Sequence, residues 1–143
     1  NQFNTTTLRM NQQEVTQYSN DSNQDIFMVF ARDRFGDNGM IGLAFVRRDG
    51  TTAFFDNFLM SCRAMGRKIE EAVFSVLEDY LIEMGLEKAV AYYVASPKNK
   101  PVENLWGRLG YERIEQDAIR DTYGKLLERQ QGAGLMDVEF QEN

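Results

Sequence analysis

A chain of 143 residues, 43% hydrophobic and 27% charged, suits one soluble domain with a single core and excludes a disordered chain. Its formal net charge of −6 argues against the basic face that non-specific nucleic-acid binding requires, and no apolar run approaches the roughly 20 residues needed to cross a bilayer. With no histidine and a single cysteine, Cys62, it excludes a His general base, a Ser-His-Asp triad, a His- or Cys-rich zinc site and an internal disulfide.

The polar stretch Asn1 to Thr7 lacks the basic and apolar regions of a signal peptide, so a reducing cytoplasm is expected. The chain starts without Met, which reads as a cut from a longer protein or as a trimmed start. Asn11-Gln12-Gln13-Glu14 has the form of a capped helix start, with Glu14 reaching back to Asn11, and predicts a short helix. Asn20 to Gln24 reads as loop. Ile26 to Arg32 predicts a strand, Gly36-Asp37-Asn38-Gly39 a turn, and Met40 to Arg47 a second strand. Asp49-Gly50 signals a hairpin into a third strand over Thr51 to Met60, with a break near Asp56-Asn57.

The periodicity then becomes helical. Ile69, Ala72, Val73, Val76, Leu77 and Tyr80 form one apolar face, and Gly85 suits the left-handed residue that ends a helix. Lys88 to Val94 predicts a strand. Pro101 opens a second helix that runs through Trp106 and Leu109 to Gly110. Strands over Tyr111 to Ile114 and Asp137 to Phe140 complete the chain. A strand-helix-strand step requires a crossover, so the fold class is mixed α/β: an antiparallel meander, then a parallel βαβ part, with flanking helices.

Two segments carry the chemistry. Ser61-Cys62-Arg63-Ala64-Met65-Gly66-Arg67-Lys68 leads into the long helix, whose first amides and dipole favour a phosphate. Gly66 lets the backbone approach such a ligand, and Arg67 and Lys68 add positive charge. The same residues equally describe an ordinary strand-to-helix turn. Asn99-Lys100-Pro101-Val102-Glu103-Asn104-Leu105-Trp106-Gly107-Arg108-Leu109-Gly110-Tyr111 follows a strand and ends in Gly-aromatic.

Together these segments resemble the GNAT acetyltransferase superfamily. Arg63, Gly66 and Lys68 take the three defined positions of its acyl-CoA loop, Lys68 replacing the usual small residue. Asn99, Val102, Leu105, Trp106, Gly110 and Tyr111 follow its later motif. Asn1-Gln2-Phe3-Asn4-Thr5-Thr6, Arg32-Asp33-Arg34-Phe35-Gly36-Asp37, Ser61 to Arg67 and Lys98 to Val102 are similar to the C-terminal part of FkbH-like proteins. In that family a HAD-type domain precedes a GNAT-like domain, and members are implicated in moving a glyceryl group onto an acyl carrier protein. The resemblance implies one GNAT-like domain over residues 1–143, with residues 1–10 at the junction to an upstream HAD-type domain. It also implies acetyl-CoA, CoA or carrier-bound phosphopantetheine as cofactor, and an acyl carrier protein as partner.

By that resemblance Arg63, Met65, Gly66, Arg67 and Lys68 hold phosphate, while Asn99 and Trp106 flank the pantetheine. Trp106 stands where many family members have the Tyr that protonates the thiolate; an indole N–H only donates, so Trp106 also reads as core. Tyr111, Tyr92 and Tyr93 are substitute acids, with Tyr92 and Tyr93 on opposite faces of a strand. Cys62, beside Arg63 and ahead of a helix start, is a candidate nucleophile or an inert buried thiol. Asp56 is a candidate base acting through water, or a surface charge. Arg63, Arg67, Lys68, Lys98, Lys100 and Arg108 gather in the two motif regions, suiting CoA phosphates or an acidic carrier. The expected function is acyl transfer with a phosphopantetheine ligand and no metal. The rivals are a self-sufficient N-acetyltransferase, a non-catalytic docking module for a carrier or the HAD half, and a structural relic.

Overall fold

The computed structural model describes residues 2–6, 9–33, 36–61, 69–128 and 137–142. In chain order these form β1 (Gln2–Asn4), α1 (Gln12–Asn20), β2 (Gln24–Asp33), β3 (Gly36–Asp49), β4 (Thr52–Ser61) and α2 (Ile69–Glu83). There follow β5 (Lys88–Tyr93), a 3-10 turn (Lys100–Val102), α3 (Leu105–Arg108), β6 (Glu112–Gln116), β7 (Asp121–Leu126) and β8 (Asp137–Glu142). The eight strands make one mixed sheet in the order β6-β7-β5-β4-β3-β2-β8, with β1 added against β4. β2, β3 and β4 form the expected antiparallel meander, and β4–α2–β5 is the expected parallel crossover.

Local chemistry explains most of the elements. The Asn11 side chain accepts from the Glu14 amide at 2.8 Å and the Glu14 carboxylate accepts from the Asn11 amide at 3.1 Å, completing the capping box of α1. Asp49 pairs with Thr52 across Gly50, whose φ of +61° tightens the β3–β4 hairpin. Gly85, at φ +92°, closes α2.

Alternation along the strands builds two layers. Ile26, Phe45 and Leu59 turn toward α1 with Tyr18 and Val15, while Phe27, Ala44, Phe55 and Phe58 turn toward α2 and α3. Val73, Phe74, Leu77 and Leu81 of α2 are buried on that second face, each side chain contributing about 1.5–3 kcal/mol.

Four expectations need correction. Gly36 to Gly39 are not a separate turn: Asp33 pairs with Gly36 and Arg32 with Asp37, so they begin β3. The buried stripe of α2 includes Glu70, Phe74 and Glu78 and is therefore rotated from the one predicted; two buried carboxylates hid it from apolar periodicity. The helix after Pro101 is a 3-10 turn followed by four residues of α3. Finally, β7 went unpredicted because Asp121-Thr122-Tyr123-Gly124-Lys125-Leu126 mixes charge and glycine, yet it lies between β5 and β6. Among the described residues no helix is long and apolar enough to cross a membrane.

Candidate functional site

The sheet opens at its centre. β4 and β5 pair in parallel only from Thr52 to Phe55 and from Lys88 to Ala91. At that point β4 bulges: Phe45 pairs with Asn57 and Val46 with Phe55, leaving Asp56 without a partner on β3. A bulge bends its strand, so the rest of β4 runs apart from Tyr92 and Tyr93. Two polar residues, Asp56 and Asn57, interrupting Phe-Phe and Phe-Leu are the sequence signal of this bend.

The resulting cleft is lined by strand-edge amides and buried polar side chains. The chain's own residues 4–6 bridge it. The Thr5 amide donates to the Phe58 carbonyl at 3.1 Å, and the Thr5 carbonyl accepts from the Val94 amide at 2.8 Å. The Thr5 hydroxyl accepts from the Phe58 amide at 3.1 Å. Asn57 Oδ1 accepts from the Thr6 hydroxyl at 2.9 Å. Thr5 and Asn57 are almost wholly buried, each 1% exposed. Neither was singled out from sequence: residues 1–10 read as a junction, and Asn57 as part of a strand break.

Asn99 closes the same end of the cleft. Its Oδ1 accepts from the Ser96 amide at 2.8 Å and the Tyr93 hydroxyl at 3.2 Å; its Nδ2 donates to the carbonyls of Val94 at 2.7 Å and Asn4 at 2.9 Å. Both donors and both lone pairs of its amide are thus engaged within the chain. Asn99, expected to touch the ligand, instead fixes the loop after β5 and grips residue 4. Burial raises the Tyr93 pKa, with the charges of Glu103 and Asp121 adding to it, so this phenol stays a donor.

On the α1 side of the cleft, Asp56 is about one-fifth exposed and held by three donors. Arg47 reaches it through Nε and Nη2, both at 3.3 Å, and the Tyr18 hydroxyl donates at 2.9 Å. Burial first, and then Asp56, push the Tyr18 pKa far up, so the phenol keeps its proton and its bond. The Arg47 guanidinium also covers the Phe54 ring, at 4.3 Å, and Arg120 covers Tyr92 at 4.1 Å. Both Asp56 oxygens are thus engaged by Arg47 and Tyr18 in holding the β4 bend to α1, a structural role in place of the expected base.

On the α2 side, Trp106 is fully buried among Phe55, Phe74 and Tyr111, and its Nε1 donates to the Tyr92 carbonyl at 3.1 Å. It packs behind β5 and does not line the cleft. Tyr111 is buried too, and its hydroxyl donates to Glu78 at 2.8 Å; burial and then the Glu78 charge raise its pKa well above 10. Its hydroxyl is committed to Glu78 on the α2 side, so Tyr111, expected as an acid, and Trp106, expected beside the ligand, both serve packing. Lys125 completes this network, donating to Glu78 at 2.8 Å and to the Leu109 carbonyl at 3.0 Å beside a cavity of about 290 Å³.

Cys62, Arg63, Met65, Gly66, Arg67 and Lys68 lie outside the described residues. They join the end of β4 at Ser61 to the start of α2 at Ile69, the strand-to-helix step that the sequence predicts. Among the described residues no group of three or more Cys, Asp or Glu is arranged to hold a metal.

No family model matches this chain, and no curated protein matches it. Solved structures do. Spermidine N-acetyltransferase from Vibrio cholerae, in complex with CoA and spermine, superposes with a TM-score of 0.59 at 14% identity over 85% of this chain and 78% of that one. The ribosomal-protein-S18-alanine N-acetyltransferase of Escherichia coli gives 0.61 at 13% identity over 92% and 85%. PaiA N-acetyltransferase from Thermoplasma acidophilum, in complex with coenzyme A, gives 0.54 at 14% over 62% of this chain and about half, 54%, of that one. At such identities the likeness concerns architecture, and the architecture of this chain is the single-domain GNAT-like α/β fold.

Proposed function

We propose that this chain binds the phosphopantetheine arm of CoA or of an acyl carrier protein in the cleft between β4 and β5, and serves acyl transfer. The observation that carries the reading is the parallel pair that opens at Asp56 within a GNAT fold. Each opened edge presents main-chain donors and acceptors, and pantetheine is an extended arm with two amides, able to pair with a strand edge as a peptide does. The Phe58 amide and carbonyl and the Val94 amide would hold those amides. Residues 62–68, between β4 and α2, would supply the amides and charges for phosphate. The Vibrio and Thermoplasma proteins are in complex with coenzyme A, which supports the same ligand. When bound, the thioester would supply an activated acyl carbonyl, which the chain's own strand edges and the buried Tyr93 would align and shield from water.

The finer reading follows the resemblance to FkbH-like proteins: the domain would receive a carrier-borne arm beside an upstream HAD-type domain that performs the glyceryl chemistry, in the cytoplasm. A self-sufficient N-acetyltransferase is less well supported, because an amine acceptor must lose a proton and Asp56 is already committed to Arg47 and Tyr18. The filled cleft favours a second reading, a non-catalytic docking module.

Calorimetric titration with CoA, and with holo and apo carrier protein, separates these readings. Binding of CoA, or of the holo carrier only, is expected, and Gly66→Trp should abolish it. Equal binding of apo and holo carrier without CoA binding would favour docking, and silence in all three would overturn the phosphopantetheine site.

A further inference from the structure

Residues 4–6 do more than tether one end of the chain. Asn4 ends the extended β1 and Thr5 and Thr6 bend, yet their backbone bonds both edges: the Thr5 amide on the Phe58 carbonyl, the Thr5 carbonyl on the Val94 amide, and the Asn4 carbonyl on Asn99 Nδ2. Just before them, β1 continues the ladder along the rest of β4, Gln2 opposite Ser61, Phe3 opposite Met60 and Asn4 opposite Leu59. The segment therefore lies across both lips of the opening, bonded to β4 on one side and to the end of β5 on the other. No other described segment bonds to both edges there.

The polar side chains around it are fitted to this occupant. Asn57 lies in a strand whose inward neighbours are Phe55, Phe58 and Met60, yet it is 1% exposed. A buried amide costs free energy unless bonded, and Asn57 Oδ1 takes the hydroxyls of Thr6 at 2.9 Å and Thr5 at 3.4 Å. Asn4 Oδ1 accepts in turn from the Thr6 amide at 3.0 Å, bending the segment out of the cleft after residue 5. The Phe58 amide is met by the Thr5 hydroxyl and Asn57 Oδ1, at 3.1 and 3.0 Å, while the segment's backbone carbonyls meet the Val94 amide and Asn99 Nδ2.

We propose that the β4–β5 cleft is an acceptor site for an extended, amide-bearing chain, and that residues 4–6 occupy it in cis, so that an external ligand of this class binds only as the segment withdraws. The segment is thus a built-in competitor. Identification of the displacing ligand as pantetheine rests on the reading above; occupancy of the cleft by the segment does not. A ligand that needs a rarely populated open state binds more weakly by that population, so loosening the segment tightens binding. Thr5→Gly/Thr6→Gly removes both hydroxyls from Asn57 and frees the backbone, while leaving Phe58, Val94 and Asn99 in place.

The test combines calorimetry with amide hydrogen exchange on the full chain. In the unsubstituted protein the Thr5 and Val94 amides should both be protected. Saturating CoA should expose the Thr5 amide and leave that of Val94 protected, now by the ligand. Thr5→Gly/Thr6→Gly should bind CoA about tenfold more tightly, a gain set by the larger open population. Unchanged affinity, with the Thr5 amide protected throughout, would overturn the proposal and leave CoA binding intact. If CoA binds neither protein, a synthetic peptide of residues 2–6 decides the matter: restored Val94 protection in the variant would uphold the acceptor site and reject only pantetheine, and no restoration would reject both. Exchange in the unsubstituted protein keeps the test decisive even should the variant fail to fold.

Discussion

Glu78 shows how a buried charge is retained in this core. Its carboxylate is 1% exposed and receives Lys125 Nζ and the Tyr111 hydroxyl, both at 2.8 Å. Removing one partner of such a pair costs more than replacing both, because the remaining charge is stranded. Lys125→Met should therefore lower the unfolding free energy by about 3–5 kcal/mol. Lys125→Met combined with Glu78→Gln should recover much of that loss. Denaturant unfolding of the two single variants and the double one measures the coupling; simple additivity would mean that the pair does not interact. Tyr111→Phe should cost about 1.5–3 kcal/mol, as expected for a hydrogen bond to a charged group, and leave CoA affinity within about twofold. A large loss of CoA affinity at unchanged stability would return Tyr111 to the ligand site. Alkaline pH probes the same residue. Its folded pKa lies above the unfolded value of about 10. Below about pH 10 both states keep the proton and the stability is fully present. As pH rises further the unfolded state deprotonates first, so stability falls, and Tyr111→Phe should flatten that fall. The raised Tyr18, Tyr93 and Tyr123 act in the same direction.

At the scale of elements, what shapes the site is the behaviour of β4. One residue without a partner on β3, Asp56, turns a parallel pair into an opening, and α1 secures the bend from the other face through Tyr18. α1 is nine residues long, with only Tyr18 buried, so its end matters. Asn11→Ala should cost about 1 kcal/mol, measured by chemical unfolding, and should speed exchange through the first turn of α1. An unaltered exchange pattern would mean that tertiary contacts hold the helix without its cap. Elements with local signals were legible in the sequence: the capping box at Asn11, the Asp49-Gly50 hairpin, Gly85 at the end of α2, and the crossover. The site was less so. Asp56-Asn57 read as a break because polarity in a strand does not reveal whether the strand stops or bulges. Thr5 and Thr6 read only as part of a junction because their partners, Asn57 and Phe58, lie about fifty residues away. The buried face of α2 was misjudged because Glu70 and Glu78 are neutralised by residues on other elements, Arg108 and Lys125. Long-range pairing leaves no local period to read.

For the whole molecule, charge sets the terms of any encounter. The chain carries −6, and the exposed edge strand β6 presents Glu112 and Glu115, so an acidic partner meets repulsion over most of the surface. The cations gathered in the second motif region do not act alike. Arg108 lies 3.6 Å from the buried Glu70, so its charge is matched internally. Lys98 and Lys100 are exposed and flank Asn99, whose amide holds Asn4 at the end of the cleft. On the proposed reading a carrier-borne arm enters beside them, and charges at the rim of a site govern approach and salt dependence more than the contacts inside it. Lys98→Glu/Lys100→Glu should therefore weaken holo-carrier binding by about tenfold at low salt. That difference should shrink as ionic strength rises past about 0.15 M, where the screening length falls to roughly 8 Å. CoA, which on the proposed reading does not depend on these two lysines, should lose no more than about twofold. Titration of both ligands at two salt concentrations makes the distinction. An equal loss for CoA and carrier would assign the two lysines to phosphate binding, and no loss for either would place the carrier's approach on another face of the domain.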